Sequence, residues 1–175
     1  MLLQPLHNIF LNNYKSTIGV DFSLKVVKWN NITIKLYLWD IAGHERFHNM
    51  TNIYYKGAAA AFIICDVSRK SSFDNVLKWK QEINNKIPDR TIPIILLRNK
   101  IDSFEPHWQY TNEQLDYFCK NNGFVNWIKT SVKNNIGIDT AFIEIIDAIM
   151  ENNTTDNLLI NSIKLDQQSK KSSCC

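Results

Sequence analysis

The chain has 175 residues, 45% of them apolar and 21% charged, with a formal net charge of +3; these are the proportions of one globular domain large enough to bury a core. So slight a charge, with Lys and Arg interspersed among Asp and Glu, excludes a basic nucleic-acid-binding face, and no nucleic-acid partner is expected. The longest apolar stretch, Ala58 to Cys65, is far too short to cross a bilayer, and Met1-Leu2-Leu3 is broken by Gln4 and Pro5, so neither a span nor a signal core is read and the body is expected in the cytosol.

Phe22 to Trp29 and Ile32 to Asp40 are rich in Val, Ile, Leu and aromatic residues. Asn30-Asn31 between them tolerates the positive φ of a tight hairpin, so two antiparallel strands are expected. From Ile41 to Lys56 polar and aromatic residues mix without a period, which predicts a mobile loop with at most one irregular helix. Ala58 to Asp66 is a continuous apolar run ending in a carboxylate, the sign of a strand covered on both faces. Ser71 or Ser72 is placed to cap a helix in which Phe73, Val76, Leu77, Lys80 and Ile83 recur at helical spacing, with Pro88 stopping it.

Ile92 to Leu97 reads as another buried strand. Thr111 with Gln114 forms a capping-box pattern before Leu115, Phe118 and Cys119, and Phe124 to Lys129 follows as a strand. Ile138, Ala141, Phe142, Ile145, Ile146 and Ile149 mark the strongest amphipathic helix. Beyond Glu151, Asn, Thr, Ser, Lys and Gln leave too little apolar surface to bury, so a domain over residues 1–152 and a flexible tail over 153–175 are expected. Strands alternating with helices from residue 58 onward predict an α/β fold: a doubly wound, mostly parallel sheet with helices on both faces and ligands at the carboxyl ends of its strands. Cys65, Cys119 and the terminal Cys174-Cys175 pair form no disulfide framework and no zinc spacing, as suits a reducing compartment.

Three segments at predicted strand ends carry chemistry. In Trp39-Asp40-Ile41-Ala42-Gly43-His44-Glu45-Arg46-Phe47, Asp40 can hold magnesium through water, and Gly43 lets a backbone N–H approach a terminal phosphate without a Cβ in the way. Standing alone, this D-x-x-G reads as a strand-ending Asp and a turn Gly. In Asn99-Lys100-Ile101-Asp102, the last carboxylate can accept both the ring N–H and the exocyclic NH2 of guanine, a pairing adenine cannot offer. The Lys100 stem can lie along a base, and Asn99 can tie neighbouring loops together. Thr130-Ser131-Val132-Lys133 closes the next strand.

In their order and spacing these segments resemble the guanine-nucleotide site of the Rab branch of small GTPases, over residues 7 to 150. The resemblance implies a Ras-like fold that binds GTP or GDP with Mg2+, hydrolyses GTP and recruits effectors in vesicle and membrane trafficking. Ser131, Val132 and Lys133 then correspond to the family's S-A-K loop, whose backbone N–H meets the guanine carbonyl, with valine in place of alanine. Tyr14-Lys15-Ser16-Thr17-Ile18-Gly19-Val20-Asp21-Phe22 looks like the first switch, in which the Thr17 hydroxyl binds magnesium and its backbone senses the γ-phosphate. Phe22, Trp39 and Tyr54 match the aromatic triad of the effector surface.

Cys174 and Cys175 resemble the double-cysteine prenylation signal, whose two lipid chains give stable anchoring where one does not, with Lys170 and Lys171 adding attraction to anionic lipid. The partners implied are an exchange factor, a GTPase-activating protein, Rab escort protein, effectors and a membrane. The implied location is the cytoplasmic face of intracellular membranes, with a cytosolic pool. Ile41, Asn49-Met50-Thr51, Lys78-Trp79-Lys80 and Phe118-Cys119-Lys120 with Gly123-Phe124 look like the subgroup serving lysosome-related organelles.

Two features depart from the family pattern. His44 stands where the family carries the glutamine that orients the attacking water, which implies slower hydrolysis. None of the five glycines, at positions 19, 43, 57, 123 and 137, belongs to a G-x-x-x-x-G-K-[ST] loop. Leu6 to Tyr14 looks like the end of the first helix, so the phosphate loop and the first, central strand are expected to be missing from this chain. That strand would lie between the strands ending at Asp40 and Asp66. Such a chain can also be read as a pseudo-GTPase, a nucleotide-independent binding module anchored to a membrane.

Overall fold

The structure is a computed structural model that describes residues 20–41, 52–103 and 108–155. It begins with the expected hairpin. Strands β1 (Val20–Trp29) and β2 (Ile32–Ile41) pair antiparallel from Val20 opposite Ile41 to Trp29 opposite Ile32. Asn30 and Asn31 turn the corner with φ of 44° and 64°, the two left-handed residues of the hairpin turn whose twist matches its strands. Period-two alternation gives the ribbon two different faces. Ile34 is buried and Val27, Trp29 and Leu36 pack around it, while Phe22, Leu24, Val26, Tyr37 and Trp39 face solvent.

A short helix α1 (Asn52–Tyr55) and a turn through Gly57 lead into β3 (Ala61–Asp66). The strand begins three residues later than the apolar run suggests, because Ala58 N–H is spent on Tyr55 C=O at 3.1 Å, closing the turn. Tyr55 is buried with its hydroxyl 3.3 Å from Glu82 Oε1; burial first, and then that carboxylate, push its pKa well up.

The expected helix from Ser71 to Pro88 is two helices, α2 (Lys70–Asp74) and α3 (Val76–Lys86), meeting at Asn75. Neither serine caps it. Arg69 is the N-cap residue, and Ser72 Oγ instead accepts from Asp66 N–H at 2.9 Å. Leu77, expected on the apolar face, is 43% exposed, while Phe73, Val76 and Ile83 are buried.

Strand β4 (Ile94–Asn99) lies between β3 and β5 (Asn126–Thr130), parallel to both, and every residue in it is buried. Ile94 and Leu96 face the core made with α2, α3 and α4 (Asn112–Asn121), and Ile95 and Leu97 face the core made with α5 (Ile138–Thr155). This two-sided burial is why the segment reads as an unbroken apolar run. The predicted starts at Ile92 and Phe124 are each two residues early: Pro93 has no N–H for a ladder, and the buried Phe124 is a helix-end contact whose N–H goes to Cys119 C=O. Two free thiols lie in the first core. Burial pushes Cys65 up to about 12 and Cys119 up to about 11, leaving both protonated.

The prediction of a doubly wound sheet is met in part. Among the described residues there are two sheets, β1-β2 antiparallel and β3-β4-β5 parallel, with no ladder joining β2 to β3. Helix α5 connects them. Its Ile145 and Ile146 share one cluster with Ile34 of β2 and with Ile95, Leu97 and Ile128 of the parallel sheet. Trp29 Nε1 donates to Asp147 at 2.6 Å, and Lys25 Nζ lies 3.1 Å from Asp139 and 4.6 Å from the Phe142 ring centroid. The helix runs to Thr155, beyond the expected boundary at 152; the rest of the proposed tail lies outside the described residues. No helix among the described residues is long and apolar enough to cross a membrane.

The capping box opening α4 is complete, with Thr111 Oγ1 accepting from Gln114 N–H at 3.3 Å and Gln114 Oε1 accepting from Thr111 N–H at 2.9 Å. Thr111→Ala is expected to cost about 1 kcal/mol in urea denaturation. Gln114→Ala in the same background should add less than it costs alone, since the two bonds act as a unit.

Candidate functional site

The carboxyl ends of β3, β4 and β5 lie side by side, with Asp66 beside Asn99 and Asn99 beside Thr130 in the ladder. Backbone bonds continue past the strands, from Val67 N–H to Asn99 C=O at 3.1 Å and from Ile101 N–H to Thr130 C=O at 3.4 Å. The loops that follow are therefore held against one another. Asn99 is 1% exposed, and its Oδ1 accepts from Thr130 Oγ1 at 3.2 Å, tying β4 to β5. Its Nδ2 is buried with no hydrogen-bond partner among the described residues. A buried amide donor left so is costly and calls for an acceptor from a ligand or another segment.

Lys100 turns left-handed, at φ 67°, and its ammonium lies 2.6 Å from Asp66 Oδ2. Asp66 is buried. Its Oδ1 accepts from Ser68 N–H at 3.0 Å and from Ser68 Oγ at 2.6 Å, and Arg69 Nε approaches Oδ2 at 3.2 Å. Burial works to raise this carboxyl's pKa, but the bonds from Lys100 and Ser68 outweigh it and hold the pKa below the usual carboxylate value.

Asp102 stands two residues further on. Its Oδ1 accepts a short hydrogen bond of 2.5 Å from Ser131 Oγ, which itself accepts from Asn134 N–H at 3.1 Å. The loop carrying Ser131, Val132 and Lys133 is closed by a bridge between Ser131 and Ile136, with N···O distances of 3.0 and 2.9 Å. Asn135 at φ 52° and Gly137 at φ 69° turn it. A Cβ at Gly137 would lie 2.1 Å from Lys129 C=O, so the chain passes over β5 only because that atom is missing. Ser131 is buried, Val132 half-buried and the Lys133 side chain exposed.

This donor set suits guanine. A carboxylate fixed between two loops can take both N–H groups on one edge of that base, and the unpartnered amide of Asn99 can donate to a ring nitrogen. Asp40, one residue before the end of β2, lies opposite Asp21 and is half-buried. Among the described residues no three of His, Cys, Asp and Glu gather as a metal cage. One carboxylate suits Mg2+ bound mainly by water and phosphate oxygens. Thr17, Gly43 and His44, with Cys174 and Cys175, lie outside the described residues.

The structure brings the three aromatic residues together. Phe22 and Trp39 face each other across the hairpin with ring centroids 4.8 Å apart, and Tyr54 meets Trp39 at 4.9 Å with the ring planes tilted by 42°. Tyr37, which the sequence did not single out, joins Phe22 at 5.9 Å. Asp66, Ser68, Thr130, Asn134 and Gly137 were also missed as site residues. Their signal was positional: Asp66 ends an apolar strand as Asp40 and Asn99 do, and Gly137 sits at the start of the strongest helix.

A parallel α/β sheet whose carboxyl-end loops converge in this way has the architecture of a nucleotide-binding domain of the Ras-like class. The Ras family profile matches residues 1–151. The chain is 44% identical over 180 residues to Ras-related protein Rab-32 of Homo sapiens, covering 97% of this chain and 80% of that protein. It is 46% identical to Rab-32A of Dictyostelium discoideum over 86% of this chain and 71% of that protein, and 42% identical to human Rab-7L1 over 95% and 85%. The chain belongs to the Ras family, and these relatives are Rab proteins.

Two measurements test this geometry. Gly137→Ala should cost about 2 kcal/mol or more in urea denaturation, from left-handed strain plus the collision with Lys129, whereas Gly57→Ala, at φ 92° with open space around it, should cost about 1 kcal/mol. Because the folded pKa of Asp66 is depressed, its stabilising contribution is fully present above the unfolded carboxyl pKa of about 3.9 and is lost as pH falls through the lower folded value. The stability gap between wild type and Asp66→Asn should therefore be constant from pH 7 to 5 and shrink below about pH 4.

Proposed function

We propose that this chain is a Rab-type GTP-binding switch acting in membrane trafficking, with Asn99, Lys100 and Asp102 and the loop of Ser131, Val132 and Lys133 holding guanine. The observation that carries this reading is the Asp102 carboxylate fixed by Ser131 Oγ at 2.5 Å, beside the buried Asn99 amide that lacks a partner among the described residues. Family membership supports the rest. Mg2+ supplies charge neutralisation across the phosphates. Asp40, through water, and the Thr17 hydroxyl would hold it; Gly43 would offer its N–H to the terminal phosphate, and His44 would orient the water that attacks in line. Phe22, Trp39 and Tyr54 would meet effectors, and prenylated Cys174 and Cys175 would hold the protein on the cytoplasmic face of an intracellular membrane. An exchange factor, an activating protein and an escort protein complete the cycle.

Replacing a carboxylate oxygen by an amide donor at position 102 removes an acceptor that guanine needs and adds a donor that the 2-oxo group of xanthine can use. Asp102→Asn is therefore expected to weaken GDP binding at least about 100-fold while improving XDP binding, measured by fluorescent-nucleotide titration in magnesium; unchanged preference would sink the assignment. Single-turnover hydrolysis of wild type beside His44→Gln should show the variant faster, and equal rates would remove the role given to His44.

A second reading, a nucleotide-independent binding module that presents the aromatic face and the terminal cysteines, is favoured by the contact of Trp39 with both Phe22 and Tyr54, with ring centroids 4.8 and 4.9 Å apart. GDP binding by the folded chain separates the two.

A further inference from the structure

The turn that delivers Asp102 runs through Lys100, a left-handed residue at φ 67° that is not glycine. A residue with a Cβ persists there only where its surroundings hold it. Its own loop contributes the Ser103 N–H bond to the Lys100 carbonyl at 2.9 Å, while its side chain is held from outside the loop: Lys100 Nζ reaches back to Asp66 Oδ2 at 2.6 Å, on the neighbouring strand. Asp66 is anchored independently of that contact. Ser68 donates to Oδ1 through both its N–H and its Oγ, and Ser72 Oγ accepts from the Asp66 N–H. Arg69 meets the same Oδ2 at 3.2 Å, but its side chain is 69% exposed against 35% for Lys100, so water screens it more.

We propose that Asp66 is a positioning residue of the base site. It pins the Lys100 ammonium, which holds the left-handed turn, lays the lysine stem along one side of the base position and presents Asp102 to Ser131. Asp66 touches no ligand in this role and works through Lys100. Its lowered pKa keeps the anchor charged at any physiological pH. The proposal rests on the guanine reading for its consequence, while the anchoring itself can be measured without nucleotide.

The first arm is native-state hydrogen exchange on the full chain without nucleotide, read at Ile101 N–H and Ser103 N–H, which bond to Thr130 and Lys100 carbonyls. Asp66→Asn and Lys100→Met should each speed exchange at these two amides about 10-fold and leave the α5 amides of Ile145 and Ile146 unchanged, and the double variant should go no faster than either. Unchanged loop exchange, additive effects or uniform acceleration through α5 would each overturn the proposal. Should Asp66→Asn fail to fold, Lys100→Met alone decides by the same local pattern.

The second arm titrates fluorescent GDP in magnesium. Each single variant should lose about 10-fold in affinity with no further loss in the double, and Asp66→Glu, which keeps the charge, should lose less. Full GDP affinity in Asp66→Asn overturns the positioning role. Wild type that shows the loop pattern but binds no GDP overturns the guanine reading and leaves the anchor standing.

Discussion

Helix α5 buries two surfaces at once, and the arrangement of everything else follows from that. Its apolar stripe covers the α5 face of β4 and β5 through Ile145 and Ile146, and the same stripe receives Ile34 from the hairpin. The two sheets share no ladder among the described residues, so this helix is their common floor. Side-chain contacts from Lys25 and Trp29 to Asp139 and Asp147 add direction to a contact that apolar burial alone would leave free to slide. Exposed ion pairs contribute little energy; their value here is register.

The same helix begins where the Ser131 loop ends. Gly137 lies directly before Ile138 and directly over Lys129, so the loop, the helix start and the strand end form one compact unit. The candidate base site is thereby built on rigid elements rather than on a freely moving loop. Asp102 is held from one side by Ser131 and approached from the other by a turn whose lysine is tied to β3. Three consecutive parallel strands each contribute one polar residue at the carboxyl end, the place where open α/β sheets bind ligands.

Much of this was legible in the residues. Ile94 to Leu97, buried on both faces, could be recognised from an unbroken apolar run; Asn30-Asn31 announced its turn; Thr111 and Gln114 announced their cap. Each of these signals is local, with the deciding interaction lying within a few positions. The errors arose where an atom outside the expected pattern decided, in some cases near in sequence and in others far. Ser72 was read as a helix cap from its neighbours, but its hydroxyl belongs to Asp66 N–H. Leu77 fitted a helical period that breaks at Asn75. In the site, Asn99 and Asp102 could be picked out as candidates from spacing, whereas the contact between Asp66 and Lys100 spans 34 positions and leaves no local trace.

The two core thiols carry a practical consequence. With Cys65 and Cys119 pushed up to about 12 and 11, the reactive thiolate is a vanishing fraction of either at neutral pH. A maleimide or disulfide-exchange reagent consumed quickly by the native protein is therefore reporting on neither of them. Slow consumption of two further equivalents would instead clock the opening of the core between β3 and α4, giving an intrinsic chemical stopwatch for unfolding that needs no engineered label.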